Sequence, residues 1–137
     1  MDEHEKYRFS KLSYDELQHL KSIYINRISD INKQIAKLID GERIGIKAYD
    51  VIIRLDYKDV ILKKECILIA NKYIKHIDHH GGTNLELMQY VVPCVVLDKY
   101  NYEYNPFDIV EMYDLEKDKF YRLYLKVKEW CINHYWC

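Results

Sequence analysis

The sequence predicts a mainly α fold, a compact bundle of five or six helices, with α+β as the alternative if a small β-hairpin forms near residues 43–57. Three observations carry this reading. Apolar residues recur at alternating three- and four-residue steps over much of the chain. Two Ser/Thr-x-x-Glu signatures, Ser13–Glu16 and Thr83–Glu86, and the pair Asn105-Pro106 mark helix starts. Gly41 and Gly81-Gly82 stand where helical spacing runs out. With 137 residues the chain is expected to be a single domain, residues 1–137, burying roughly 68% of the surface its unfolded form exposes.

Residues 1–11 are polar and acidic and read as a flexible N-terminus. At the next step Ser13 can cap the amide of Glu16, Glu16 can reach back to Ser13, and Leu12 can staple onto Leu17. The long amphipathic helix that starts here is expected over residues 13–40, stopped by Asp40-Gly41. Leu17, Tyr24, Ile28, Ile31, Ile35 and Leu38 form a heptad-like stripe along it, interrupted at Lys21. Packing of that stripe on its own domain is the first expectation. A homodimer seam through residues 13–40 is the second. Ile23 and Ile25 lie off the stripe and point to a second buried face.

Over residues 42–57, Val51, Ile53, Leu55 and Tyr57 alternate with Ile52, Arg54 and Asp56, the period of a strand, although a short helix also fits. Helical spacing returns with Leu62, Cys66, Ile69, Tyr73 and Ile77, and Gly81-Gly82 ends that element. The helix capped at Thr83 meets Pro93, which closes or kinks it, so that Val91–Leu97 reads as buried helix or edge strand. Lys99–Asn105 is a loop with three tyrosines. Asn105 then caps a helix with Pro106 at its first position. Phe120, Leu123, Val127, Trp130 and His134 step by three and four to the end, which favours helix over the competing strand alternation.

The formal net charge of −1 supplies no pull toward nucleic acid or an anionic membrane. No apolar run approaches the ~20 residues of a membrane span, and the N-terminus has no secretory h-region. Four cysteines beside a full-sized core do not read as a disulfide framework, so the chain is expected in a cytoplasm with its thiols reduced. There are 17 Ile, 16 Lys and 14 Tyr against 3 Ala and 5 Arg, the bias of an AT-rich genome such as that of a large DNA virus, a phage or a low-GC bacterium.

Two groups of borderline and soft ligands stand out. His76, His79 and His80 sit together, and Cys131, His134 and Cys137 sit together. His76 and His80 are one helical turn apart, as are Cys131 and His134. If the two ends meet, His76, His80, Cys131, His134 and Cys137 are the candidate ligands of a zinc ion, the one cofactor the sequence suggests. The bland alternative is a core Cys131 among solvated helix-end histidines, a position the helix dipole favours. Asp78-His79-His80 resembles the short motif that names the DHH phosphoesterases, which hydrolyse phosphodiesters with two divalent ions. The resemblance covers these residues alone. That family also carries an upstream Asp-x-Asp pair on a longer chain, and this sequence has neither.

No Gly-rich phosphate loop and no nucleophile arrangement appears, so no catalytic residue is assigned. Lys119, Arg122, Lys126 and Lys128 with Tyr121 and Tyr124 could hold a nucleic-acid backbone, but a solvated face explains them as well. Tyrosine is the remaining signal, because it gives stiff amphipathic contact area at low entropic cost. Tyr100, Tyr102 and Tyr104 on one loop, with Phe107, are the candidate partner-binding residues. The expected function is therefore a small accessory protein that binds and modulates another macromolecule, a host or cognate protein, with inhibition of host defence as one form of that role. The alternatives are a metal-dependent enzyme or small-molecule binder centred on His76, His79 and His80, and a nucleic-acid binder using the basic C-terminal helix.

Overall fold

A computed structural model describes residues 2–77 and 83–136. Among them the chain builds six helices and no strand: α1 (Glu3–Ser10), α2 (Tyr14–Arg54), α3 (Val60–His76), α4 (Thr83–Lys99), α5 (Pro106–Met112) and α6 (Lys117–His134). The mainly α bundle is as the sequence predicts. The chain divides into two units, residues 1–35 and 36–137.

In the first unit, residues 3–10 are helical where the sequence suggests a flexible lead. Asp2 is the reason: its Oδ1 accepts the Glu5 amide at 2.8 Å, and Glu3 and Glu5 place negative charge at the first turn. The Phe9 ring meets Tyr24 edge-on at 6.5 Å, which sets α1 against the first turns of α2. The capping box forms as read, with Glu16 N–H donating to Ser13 Oγ and Ser13 N–H to Glu16 Oε1, each at 3.2 Å. No residue from 2 to 35 is fully buried.

In the second unit α2 neither stops at Gly41 nor gives way to a hairpin; it runs on to Arg54. Its buried residues there are Gly41, Ile44, Gly45, Ala48, Val51 and Ile52, a helical and not an alternating set. The glycines serve packing. A Cβ on Gly45 would lie 2.5 Å from Ile67 Cα, and one on Gly41 would lie 1.9 Å from Asn71 Oδ1. Removing both Cβ atoms lets α3 approach the α2 backbone.

Three helices, α2, α4 and α5, are stopped by Asp or Asn, while Gly81-Gly82, the expected stop after α3, lies outside the described residues. Asp56, Asn101 and Asp114 follow α2, α4 and α5 with φ of 69°, 58° and 51°. After each, an amide reaches back five residues: Tyr57 to Ile52 O, Tyr102 to Leu97 O and Leu115 to Val110 O, at 3.2, 2.9 and 2.9 Å. These are Schellman closures with an Asx residue in the left-handed position.

Asp59 caps α3, its Oδ1 accepting the Ile61 amide at 3.0 Å. The stripe Leu62, Cys66, Ile69 and Tyr73 is buried as its spacing predicts. Helix α4 packs on α3 and α6, and α3 also touches α6. Val91, Val92 and Cys94 to Leu97 are all buried, so α4 is apolar around most of its circumference, the mark of a core helix. It continues through Pro93 to Lys99. Asn105 Oδ1 accepts the Phe107 amide at 3.0 Å and starts α5. Helix α6 buries Phe120, Leu123, Tyr124, Val127 and Cys131.

Candidate functional site

The three loop tyrosines do not share a face. The Tyr100 ring is exposed, and its hydroxyl lies 3.5 Å from Glu65 Oε2. Tyr102 is half-buried and meets Tyr57 edge-on at 4.8 Å. Tyr104 turns inward, its hydroxyl donating to Asp98 Oδ1 at 2.8 Å with the Cys94 carbonyl at 3.0 Å. Tyr124 also donates to Asp98, and Lys128 Nζ lies 3.1 Å from Asp98 Oδ2. Burial pushes the Tyr104 and Tyr124 hydroxyls up, and the Asp98 carboxylate beside them pushes the same way. Tyr102 and Tyr104 are thus tied into the core, while Tyr100 and Phe107 remain open.

Phe107 belongs to a patch that the loop reading does not contain. Its ring, 43% exposed, sits on the first turn of α5, 5.5 Å from the Tyr121 ring of α6. Lys117 Nζ stands 4.7 Å from the Phe107 centroid. Leu125, one turn beyond Tyr121 on α6, is 60% exposed. Phe120 and Tyr124 hold Tyr121 from below at 5.3 and 6.3 Å. The result is an aromatic and aliphatic surface, backed by the Phe120 and Tyr124 rings, with the Lys117 ammonium at its edge. The spacing of Tyr121 and Leu125, off the buried Phe120, Leu123 and Val127 stripe, is the sequence signal for it.

The ends of α3 and α6 do come together. The His76 and His134 rings lie 6.0 Å apart, with Trp130 at 5.1 and 5.5 Å from them and Tyr73 behind Trp130 at 5.6 Å. His134 Nδ1 is 3.1 Å from the Trp130 carbonyl oxygen, which leaves Nε2 as the outward nitrogen. Cys131 is fully buried, and burial pushes its thiol up to about 12, with the Glu65 carboxylate adding to the shift. A ligand thiol must lose its proton, so Cys131 has the chemistry of a core thiol. His79, His80 and Cys137 lie outside the described residues, as does Asp78. Among the described residues no group of three or more His, Cys, Asp or Glu is placed to hold a metal ion.

Sequence reading misses a buried ion pair. Glu65 on α3 is buried, and its Oε1 lies 2.6 Å from Lys99 Nζ at the end of α4. The Lys99 ammonium also lies 5.4, 5.2 and 5.9 Å from the Tyr100, Tyr135 and Trp136 ring centroids. Burial pushes the Tyr135 hydroxyl up to about 12, helped by Glu65. This cluster is filled by its own lysine and fastens the C-terminal aromatics to α3 and α4. Of the basic residues on α6, Lys119 is 3.3 Å from Glu116 and Lys128 is paired with Asp98, so the face is partly neutralised.

No helix among the described residues is long and apolar enough to cross a membrane. No protein-family profile, curated protein or solved structure matches the chain.

Proposed function

We propose that the chain is a small accessory protein that binds and modulates another protein, and that its contact surface centres on Phe107, Tyr121 and Leu125. One observation carries the reading: an exposed aromatic ring on α5 and an exposed aliphatic side chain on α6 flank Tyr121, with Lys117 at the rim. Aromatic anchors on an ordered base, with polar groups around them, are what binding hot spots are built from. Tyr100 is a separate exposed ring, and the Asp98 network holds Tyr104 back from contact. The compositional bias toward AT-rich codons supports a setting in which the partner belongs to a host, with inhibition as the outcome of binding.

The test is a tagged pull-down with parallel nuclease treatment, comparing the native chain with Phe107→Ser/Leu125→Ser. Both side chains are exposed, so the variant should keep its helicity and melting temperature. A stoichiometric protein that resists nuclease and is lost with the variant supports the reading. A partner lost with nuclease, or one that the variant keeps, refutes it.

A zinc ion at the ends of α3 and α6 is the second reading, favoured by the 6.0 Å approach of His76 and His134. Metal analysis after purification without chelator decides it. Identical melting with and without EDTA ends it.

A further inference from the structure

We propose that the first unit is a self-association element, and that a second copy of this chain covers the open face of α2 in antiparallel orientation. Leu17, Tyr24, Ile28, Ile31 and Ile35 fall at heptad positions along this part of α2, and every one is exposed, Ile28 and Ile31 by 57% and 58%. Ile25 beside them is 54% exposed. Together these six side chains present on the order of 600 Å² of mostly apolar surface, at the upper limit of what monomers leave open. Two copies would bury roughly 1,200 Å², the lower bound of a stable interface.

The unit itself supplies the second argument. None of residues 2–35 is fully buried, and short helices owe most of their stability to burying a face. Helix α1 lies along the Leu20 side of α2, its Phe9 reaching the edge of Tyr24, and leaves Ile28, Ile31 and Ile35 open. Beside it, Phe9, Leu17, Leu20, Lys21 and Tyr24 line an apolar groove of about 180 Å³, with room for a branched aliphatic side chain.

The pattern selects both the occupant and its direction. The seam is symmetric about residue 26. Laid antiparallel on itself, it sets Leu17 against the partner's Ile35, Tyr24 against the partner's Ile28, and Lys21 against the partner's Ile31. The aliphatic stem of Lys21 then packs while its ammonium reaches water. Parallel pairing would set two Lys21 ammonium groups against each other inside the seam. Of the flanking positions, Gln18, Leu20, Ile25, Asn32 and Gln34 are uncharged and Arg27 is the one charge, its guanidinium lying 5.8 Å from the Tyr24 ring at the outer edge of the seam, so a second copy meets no continuous acidic or basic rail. The antiparallel register also brings Ile25 next to the partner's Ile25, which accounts for an exposed isoleucine off the main stripe.

Sedimentation equilibrium of the full chain under reducing conditions tests the proposal. The expected mass is about 33 kDa, twice the 16.7 kDa of one chain. Ile28→Glu/Ile31→Glu should sediment as a monomer with its near-ultraviolet spectrum unchanged, because both side chains are exposed in one copy. Ile28→Leu/Ile31→Leu should remain a dimer. A native chain that is monomeric at 100 µM, any other native mass, or a dimer that survives the glutamates overturns the proposal. Direction is read by oxidative cross-linking. Ile25→Cys should link to itself well above the native background and Ile28→Cys should not; the reverse result overturns the antiparallel arrangement.

Discussion

Gly45→Ala separates two accounts of the glycines in α2 by the sign of its effect. In an isolated helix the change is favourable, because alanine gains about 1 kcal/mol over glycine in a helix interior. Here the new Cβ would lie 2.5 Å from Ile67 Cα and 2.9 Å from Ile67 N. Carbon atoms rest near 3.5–4.0 Å, so α2 and α3 must move apart by about 1 Å. Overpacking of that kind costs roughly 3 kcal/mol at its upper end, and the propensity gain leaves a net loss of about 2 kcal/mol. Gly41→Ala is the internal control. Its nearest neighbours are Asn71 Oδ1 and Cγ, which can swing aside with no hydrogen bond to lose among the described residues, and behind them the Asn71 Cα at 3.0 Å, which needs a shift of only a few tenths of an ångström. That variant should stay within about 1 kcal/mol of the native chain. Urea unfolding followed by circular dichroism reads both, since 2 kcal/mol moves the midpoint by about 1 M at an ordinary m-value. A Gly45→Ala protein as stable as the native chain, or more stable, would refute the close crossing at Ile67.

Four further outcomes are expected. Asp56→Gly and Asp114→Gly should each raise stability by about 0.5 kcal/mol in urea unfolding, because glycine takes positive φ without the Cβ penalty; a loss would show that the aspartate side chains do more than terminate helices. Lys99→Met should cost about 3 kcal/mol by stranding Glu65, and Glu65→Met on top of it should recover most of the loss; strictly additive losses would contradict the pairing. Tyr104→Phe should lose about 1–2 kcal/mol and Tyr100→Ala less than about 0.5, read as urea midpoints; equal losses would deny the division of the loop into inward and outward rings. Alkali should destabilise the fold. Cys94 and Cys131 are held near 12 by burial, against about 8.5 in an unfolded chain, so their contribution is complete below about pH 8 and falls as pH rises toward 12. A urea midpoint constant from pH 7 to 10.5 in the presence of reductant would count against it.

Most of the fold is legible in the sequence where a local rule has a single meaning. The Ser13–Glu16 box, the Asn105-Pro106 start and the Leu62, Cys66, Ile69, Tyr73 stripe each determine a helix without help from distant residues. Glycine has two meanings, and only the tertiary partner distinguishes them. Gly41 follows Asp40 at the end of an apolar stripe, which is how a helix stop reads; Ile67 and Asn71 make it and Gly45 a crossing point instead. Once Gly41 is taken for a stop, the Val51, Ile53, Leu55 alternation looks like a strand. The true stops at Asp56 and Asp114 carry residues that also cap, turn and pair, so nothing local distinguishes them.

The candidate site is harder to read for a related reason. Composition gives the number of tyrosines but not which way each one points, and a loop imposes no period from which the direction could be inferred. Tyr104 faces Asp98 because a half-buried carboxylate at the end of α4 draws donors to it, a demand that comes from residues elsewhere in the chain. Helices do carry a period. On α6 the buried set Phe120, Leu123 and Val127 assigns Tyr121 and Leu125 to another side, and Asn105 fixes the first turn of α5 so that Phe107 arrives beside them. The same logic applies to α2, where five heptad positions of the first unit remain uncovered and a second copy, arranged about residue 26, can match each of them. A stripe with no buried member is evidence about what lies outside the chain, because exposed isoleucines at that regular spacing gain stability only when another surface excludes water from them.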